Sequence, residues 1–307
     1  MSSLNRFKNP STEPFLSLQK NSIIRNLSTA YGRETEVKPH LYKKPSAICQ
    51  LTAENLPSLW KDSVQFAKDW MTQIQFRVEA IGLKLKEMED ADTPAIREFL
   101  LQRYNERMAN EICAFDLFRF RNFGHGMLLM DEAGNVQGTI FEVAYDTEEK
   151  TSYTIRLAIA EEWKGKNLGT HLMRYSSLKA LTQGSGVKRG IIQVDNLASL
   201  HINLNKVGWI CDKYEAQING LGSFFHIALP LDLQGLTGNI IDFERCKSFV
   251  EEQVEGLHYR LIDCDKQEEI AEMYQNSTFK ICALMKSGIL SPKAQFLAIP
   301  AEELGMS

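Results

Sequence analysis

The chain has no surplus of positive charge: 35 Lys and Arg face 39 Asp and Glu, for a net charge of -4. With a sequence pI near 5.9, this balance offers no general attraction to nucleic acid or to an anionic membrane, and neither is an expected partner. It also lacks the ~18 to 20 continuous apolar residues of a membrane span, and Met1 to Lys20 has no apolar core of the kind a secretory signal needs. Its six cysteines, Cys49, Cys113, Cys211, Cys246, Cys264 and Cys282, are scattered, with no C-x-x-C pair and no histidines at zinc-ligand spacing. The expectation is therefore no metal, reduced and mostly buried thiols, and a reducing, cytoplasmic setting. No internal repeat of solenoid type is present.

What is there is the composition of an ordinary globular protein, 44% hydrophobic and 24% charged over 307 residues. Residues 1–45 are rich in Ser, Asn, Lys and Pro without periodicity, and read as a poorly ordered arm. Ala47 to Leu51 reads as a first strand. Apolar residues then recur at helical spacing from Leu56 through Trp60, Val64, Trp70, Ile74, Val78, Ile81 and Leu85 to Met88. Thr93-Pro94 starts another helix, threonine as cap and proline at the first helical position, with Ile96, Phe99, Leu100 and Tyr104 on its apolar face.

A hairpin follows, Gly126 to Met130 and Val136 to Tyr145, joined by the turn Asp131 to Asn135, and Ser152 to Ala160 supplies a third strand. Lys164-Gly165-Lys166-Asn167-Leu168-Gly169-Thr170 then reads as a tight polar turn opening an amphipathic helix. A helix start of that kind leaves backbone N–H groups unpaired where the macrodipole adds about half a positive charge, which suits a phosphate. Arg189 to Val194 is a nearly continuous apolar strand, suited to the inside of a sheet. Leu197 to Val207 reads as a helix closed by Gly208, and Trp209 to Tyr214 and Ser223 to Leu229 as closing strands. Beyond Pro230 come a helix at Phe243 to Val254, a strand at His258 to Ile262, a helix at Lys266 to Tyr274 and a polar tail from Pro300 to Ser307.

With Lys164, Asn167 and Gly169 at the places of the signature Arg or Gln, x, x, Gly, x, Gly or Ala, the region from about Ala47 to Leu229 resembles the Gcn5-related N-acetyltransferase (GNAT) family. Asn196-Leu197-Ala198-Ser199 followed by Lys206-Val207-Gly208-Trp209 is similar to the family's next segment, spaced one residue longer. The resemblance implies an α/β (α+β) fold: a mixed, mostly antiparallel central sheet flanked by helices, here with an N-terminal helical elaboration and a C-terminal α/β appendage. It divides the chain into the arm 1–45, an acyltransferase domain 46–230 with a helical insertion at about 71–112, and the appendage 231–307.

It also implies an acyl-CoA donor, acetyl-CoA as co-substrate, and direct acyl transfer to an amine of a small molecule or protein. Lys164, Gly165, Lys166, Asn167, Leu168, Gly169 and Thr170 would hold the pyrophosphate. Leu157, Ala158 and Ile159 would present a strand edge to the pantetheine arm, with Asn196 touching the same arm. The family's acid, a tyrosine on the helix after Asn196, has Asn203, Leu204 and Asn205 in its place, so Tyr214 is the nearest substitute and water the alternative. Glu142 and Glu161 are the candidate bases, ahead of Glu162, His171 and His201. A rival reading, motivated by Asn167 and the absent tyrosine, is a GNAT-fold binding or adaptor protein with weak or no turnover. The polar arm and acidic tail also suit export as an effector.

Overall fold

A computed structural model describes residues 63–104, 106–113, 117–146, 151–217, 222–231, 259–286 and 292–301. The arm, the strand expected at Ala47 to Leu51, the helix at Phe243 to Val254 and the tail beyond Ala301 lie outside the described residues.

The first described element is α1 (Ser63–Glu79). It stops short of the helix that the apolar spacing predicts through Met88: Gly82 takes φ 82°, and the chain re-emerges as β1 (Lys84–Glu87). The reason is a change of period. Leu83 and Leu85 are buried while Lys84 is exposed, the alternation of a strand, and β1 pairs antiparallel with β2 (Gly124–Met130). Between them run α2 (Thr93–Arg103), with Pro94 in its first turn as expected, α3 (Glu106–Glu111) and α4 (Leu117–Phe123).

β2, β3 (Val136–Asp146) and β4 (Thr151–Ile159) form the expected antiparallel run. The helix α5 (Leu168–Thr182) then returns the chain to β5 (Val187–Gln193), parallel to β4. Next, one α-helical turn, α6 (Leu197–Leu200), passes into a π-helix over His201–Val207, whose i→i+5 bond from Gly208 N–H to Asn203 C=O measures 3.0 Å. The two strands β6 (Ile210–Glu215) and β7 (Phe224–Pro230) follow, β7 lying between β5 and β6.

The C-terminal elements β8 (Arg260–Asp263), α7 (Gln267–Asn276), β9 (Phe279–Met285) and β10 (Gln295–Pro300) continue the same sheet. Its order is β1-β2-β3-β4-β5-β7-β6-β9-β10-β8, ten strands among the described residues. Pro300, expected in a tail, closes β10 opposite Phe279. The fold is therefore mixed α/β with a mostly antiparallel sheet, as the sequence implies; β4 with β5 is the parallel pair among the described strands.

Two cores flank the sheet. On one face Ile140, Leu172, Leu204, Phe225, Ile270 and Ile281 join α1, α5, the π-helix and α7 to the strands; on the other Ile96, Phe99, Phe120, Phe141 and Ile155 join α2 and α4 to the first strands. β6 meets β9 through one bridge pair, Cys211 with Ile281. Side chains complete that seam. Asn205 donates its Nδ2–H to Leu284 C=O and accepts Leu284 N–H, both at 2.9 Å, and the Tyr274 hydroxyl donates to Cys211 C=O at 2.8 Å.

Candidate active site

The parallel pairing of β4 with β5 covers Thr151 to Tyr153 against Val187 to Arg189 and then lapses, although β5 continues along β7 as far as Gln193. The two strands therefore part after Tyr153. Burial follows the parting: Thr151, Ser152 and Tyr153 are buried, and every residue from Thr154 to Ile159 is half-buried. A bulge sharpens the divergence, because Arg156 takes φ 59° and the register with β3 slips one residue between Ile155 and Ala158. Leu157, Ala158 and Ile159 thus form one lip of a cleft between the two strands, with Ala158 and Ile159 paired on their other side to Thr139 and Gly138 of β3.

The turn expected to hold phosphate follows directly on that lip. After β4, a short 3-10 turn (Glu161–Trp163) leads to Lys164, then to Gly165 at φ 79° and Asn167 at φ 59°, ψ 11°. Asparagine tolerates this left-handed geometry better than most residues. Its side chain does not cap the helix. The backbone bonds resume with His171 N–H to Asn167 C=O at 3.0 Å, which leaves the N–H groups of Leu168, Gly169 and Thr170 without an acceptor among the described residues. That is the free donor set an anion needs at a helix start.

Gly169 is small for a packing reason. A Cβ there would stand 2.9 Å from Ile202 Cδ1 of the π-helix, 3.7 Å from Leu157 Cδ2 and 3.9 Å from Ile159 Cγ1, so α5, the π-helix and the cleft lip meet at this glycine. Lys164 Nζ lies 2.7 Å from Glu161 Oε2, and Arg103 Nη1 lies 3.4 Å from the same oxygen. The hydrogen bond from Lys164 holds the Glu161 carboxyl below its ordinary range. Lys166 Nζ sits 4.0 Å over the Trp163 ring. Asn196 begins α6, where its Oδ1 accepts Ser199 N–H at 3.1 Å.

The candidate acid and base residues are dispersed. Glu161 is exposed at the mouth beside the phosphate-type turn. Glu142 lies beneath α5 at 2% exposure, ion-paired with the fully buried Lys188 and accepting a 2.6 Å hydrogen bond from Ser176 Oγ. Burial works against its charge, but Lys188 and His125 outweigh it and bring the carboxyl below its ordinary value. Burial also pushes His125 and Lys188 down. Lys188 donates to Ser176 Oγ at 2.7 Å, and His125 Nε2 lies 3.3 Å from it. Tyr214 packs between Phe225, at 5.8 Å between ring centroids, and Tyr274, at 6.4 Å. His201, half-buried near Lys206 and Lys286, is lowered to about 4, chiefly by burial.

Sequence reasoning did not single out two other pairs. His226 Nε2 stands 2.8 Å from Glu215 Oε2, and Arg189 Nη1 3.0 Å from Asp212 Oδ2. Their signal in the sequence was weak, because alternate positions on closing strands are ordinarily filled by such residues without function. Among the described residues no group of three or more His, Cys, Asp and Glu could hold a metal ion, and no helix is long and apolar enough to cross a membrane.

Residues 85–208 match the model of the acetyltransferase (GNAT) family. No curated protein matches the chain. Solved structures that do include a chimera of spermidine N-acetyltransferase SpeG from Vibrio cholerae and hSSAT, 16% identical over 49% of this chain and 96% of that one, with a TM-score of 0.42. The ribosomal-protein-S18-alanine N-acetyltransferase of Escherichia coli is 13% identical over 49% and 95%, with a TM-score of 0.40. The yncA protein of Salmonella typhimurium, solved with acetyl-CoA, is 19% identical over 49% and 94%, at 0.41.

Proposed function

We propose that this protein, whose residues 85–208 match the model of the GNAT acetyltransferase family, transfers an acyl group, acetyl in the first instance, from coenzyme A to a primary amine. The observation that carries the reading is the parting of β4 from β5 beside three N–H groups at the start of α5 that have no acceptor among the described residues. A phosphate-bearing ligand with an extended, amide-containing arm matches both at once.

In this reading Lys166 to Thr170 offer backbone N–H groups to the pyrophosphate, and Lys164 exchanges its carboxylate partner Glu161 for a phosphate oxygen. Leu157, Ala158 and Ile159 pair their outward backbone groups with the pantetheine amides, like an added strand, and Asn196 lies across the cleft. Bound there, the thioester supplies an activated carbonyl that an amine can attack. The chain's own tasks are to exclude water, hold the carbonyl and remove a proton from the amine.

Of the three acid–base candidates, Glu161 best serves the donor's phosphate end, as a counter-ion that releases Lys164. Glu142 serves as a buried anchor between α5 and β5, and as a base it would first have to part from Lys188. Tyr214 lies on the α1 and α5 face, stacked on Tyr274, and serves there as packing rather than as the acid. The acceptor is an amine of a small molecule or of a protein, met on the side of α2 to α4. Residues 63–231 make up the acyltransferase unit, with β8 to β10 buttressing its β6 edge.

Titration calorimetry with acetyl-CoA tests the donor site. The expected result is binding at micromolar concentration that weakens at least tenfold when Gly169 is replaced by leucine. Absence of binding at high micromolar ligand overturns the reading.

A further inference from the structure

The last β4–β5 pair before the cleft is Tyr153 with Arg189, so Ile155 and Ile191 stand level with one another on the two lips. β5 keeps its other neighbour there: Ile191 pairs with His226 of β7. Residues paired in register project to the same face of a sheet, and adjacent strands lie about 4.8 Å apart. Ile155 packs on the α2–α4 face. His226 therefore stands on that face, one strand behind the lip, level with the bulge at Arg156.

Its side chain is 8% exposed, and Nε2 lies 2.8 Å from Glu215 Oε2 at the end of β6. With Nε2–H donated to the carboxylate, Nδ1 carries the lone pair, the arrangement of an oriented general base. The charged groups around it are Glu215, Asp212 and Lys213 from β6, with Arg189 of β5 tied to Asp212. Burial holds the imidazole below its ordinary value against the pull of Glu215, so the ring is neutral at pH 7. Glu142, by contrast, is committed to Lys188 on the opposite face.

We propose that His226, held by Glu215, is the proton acceptor for the amine substrate, an inference that rests on the acyl-transfer reading. The ammonium group gives one proton to His226 Nδ1, directly or through one water. The freed nitrogen lone pair forms the C–N bond, the C–S bond breaks, and sulfur leaves with its electron pair. The imidazolium protonates the thiolate, and the second amine proton passes to solvent as the amide forms. His226 is the catalytic residue in this scheme; Glu215 is a positioning residue.

The test is thiol release from acetyl-CoA by the full chain, with the best acceptor from a panel of alkylamines, polyamines and lysyl peptides. His226→Gln is expected to lower kcat/KM about 100-fold or more, to abolish the acidic limb of its pH profile and to be partly rescued by added imidazole, with acetyl-CoA affinity unchanged. Glu215→Gln is expected to keep that limb but move it to lower pH, a change that a purely structural carboxylate would not produce. Full activity of His226→Gln, or an intact acidic limb in it, overturns the proposal and leaves the acyl-transfer reading standing. Acetyl-CoA binding without thiol release by any amine in the panel overturns both. Should His226→Gln not fold, histidine nitrogen NMR of the unaltered chain decides: a neutral ring protonated at Nε2 at pH 7 is expected, and a cationic ring overturns the proposal.

Discussion

Replacing Glu142 with glutamine isolates the polar cluster beneath α5. The substitution keeps size and one acceptor oxygen but removes the charge that faces Lys188, which is fully buried and also bonds Ser176. A buried cation left without its counter-ion costs about 3 to 5 kcal/mol. Urea unfolding monitored by far-UV circular dichroism should show that loss as a lower midpoint with an unchanged slope. The double variant Glu142→Gln, Lys188→Met should recover most of it, because no charge then stays buried. The pH dependence has a definite sign. Glu142 is depressed in the folded state from its ordinary value of 4.5, so its contribution is present above that value and lost as pH falls through the folded one. His125 is lowered from 6.5 and must gain a proton to unfold in acid, so stability begins to fall below about that pH. A cost under 1 kcal/mol for Glu142→Gln, or a double variant weaker than the single, would refute the assignment of an ion pair that anchors α5 to β3 and β5.

Other expectations follow from the same geometry. Asn167→Gly should tighten acetyl-CoA binding or leave it unchanged, whereas Asn167→Val should cost about 1 to 2 kcal/mol of stability by placing a β-branched residue at φ 59°; thermal unfolding and calorimetry report the two effects separately. Gly169→Leu should weaken acetyl-CoA binding at least tenfold, and adding Ile202→Ala, which removes the atom 2.9 Å from the new Cβ, should restore part of the loss. Asn205→Leu leaves the N–H and C=O of Leu284 unpaired in a buried seam, at about 2 to 4 kcal/mol, and hydrogen exchange of the β9 amides should accelerate by a corresponding factor.

The hairpin, the third strand, the helix after the phosphate-type turn and the two closing strands were legible because each has a clean period bounded by strong turn residues. β1 was not. Leu83, Leu85 and Met88 fit a helical spacing continued from Val78 nearly as well as a strand, and only the pairing with β2 decides between them. The π-helix was half legible: the Asn196 to Trp209 segment is one residue longer than the family spacing, and i→i+5 bonding is how a helix absorbs an extra residue without moving its ends. β9 and β10 passed unremarked because continuous apolar runs such as Ile281-Cys282-Ala283-Leu284-Met285 have no period to betray them. At the site, local sequence marked the turn and the lip, whose chemistry resides in backbone groups of neighbouring residues. The pairings of Glu142 with Lys188 and of His226 with Glu215 join residues on separate strands, and strand order alone brings them together.

The seam between β6 and β9 has a mechanical consequence. The sheet of ten described strands parts at the β4–β5 cleft and, beyond it, is joined between β6 and β9 by one bridge pair, the weakest line of its C-terminal half. Thermal bending will concentrate at that line, with the Asn205 amide, the Tyr274 hydroxyl and the rings of Tyr214, Phe225 and Phe296 acting as its ties. Asn205 belongs to the same π-helix whose Ile202 abuts the cleft, so rocking of the C-terminal leaf reaches the cleft through less than one helical turn. The C-terminal strands thereby become a lever on the width of the cleft.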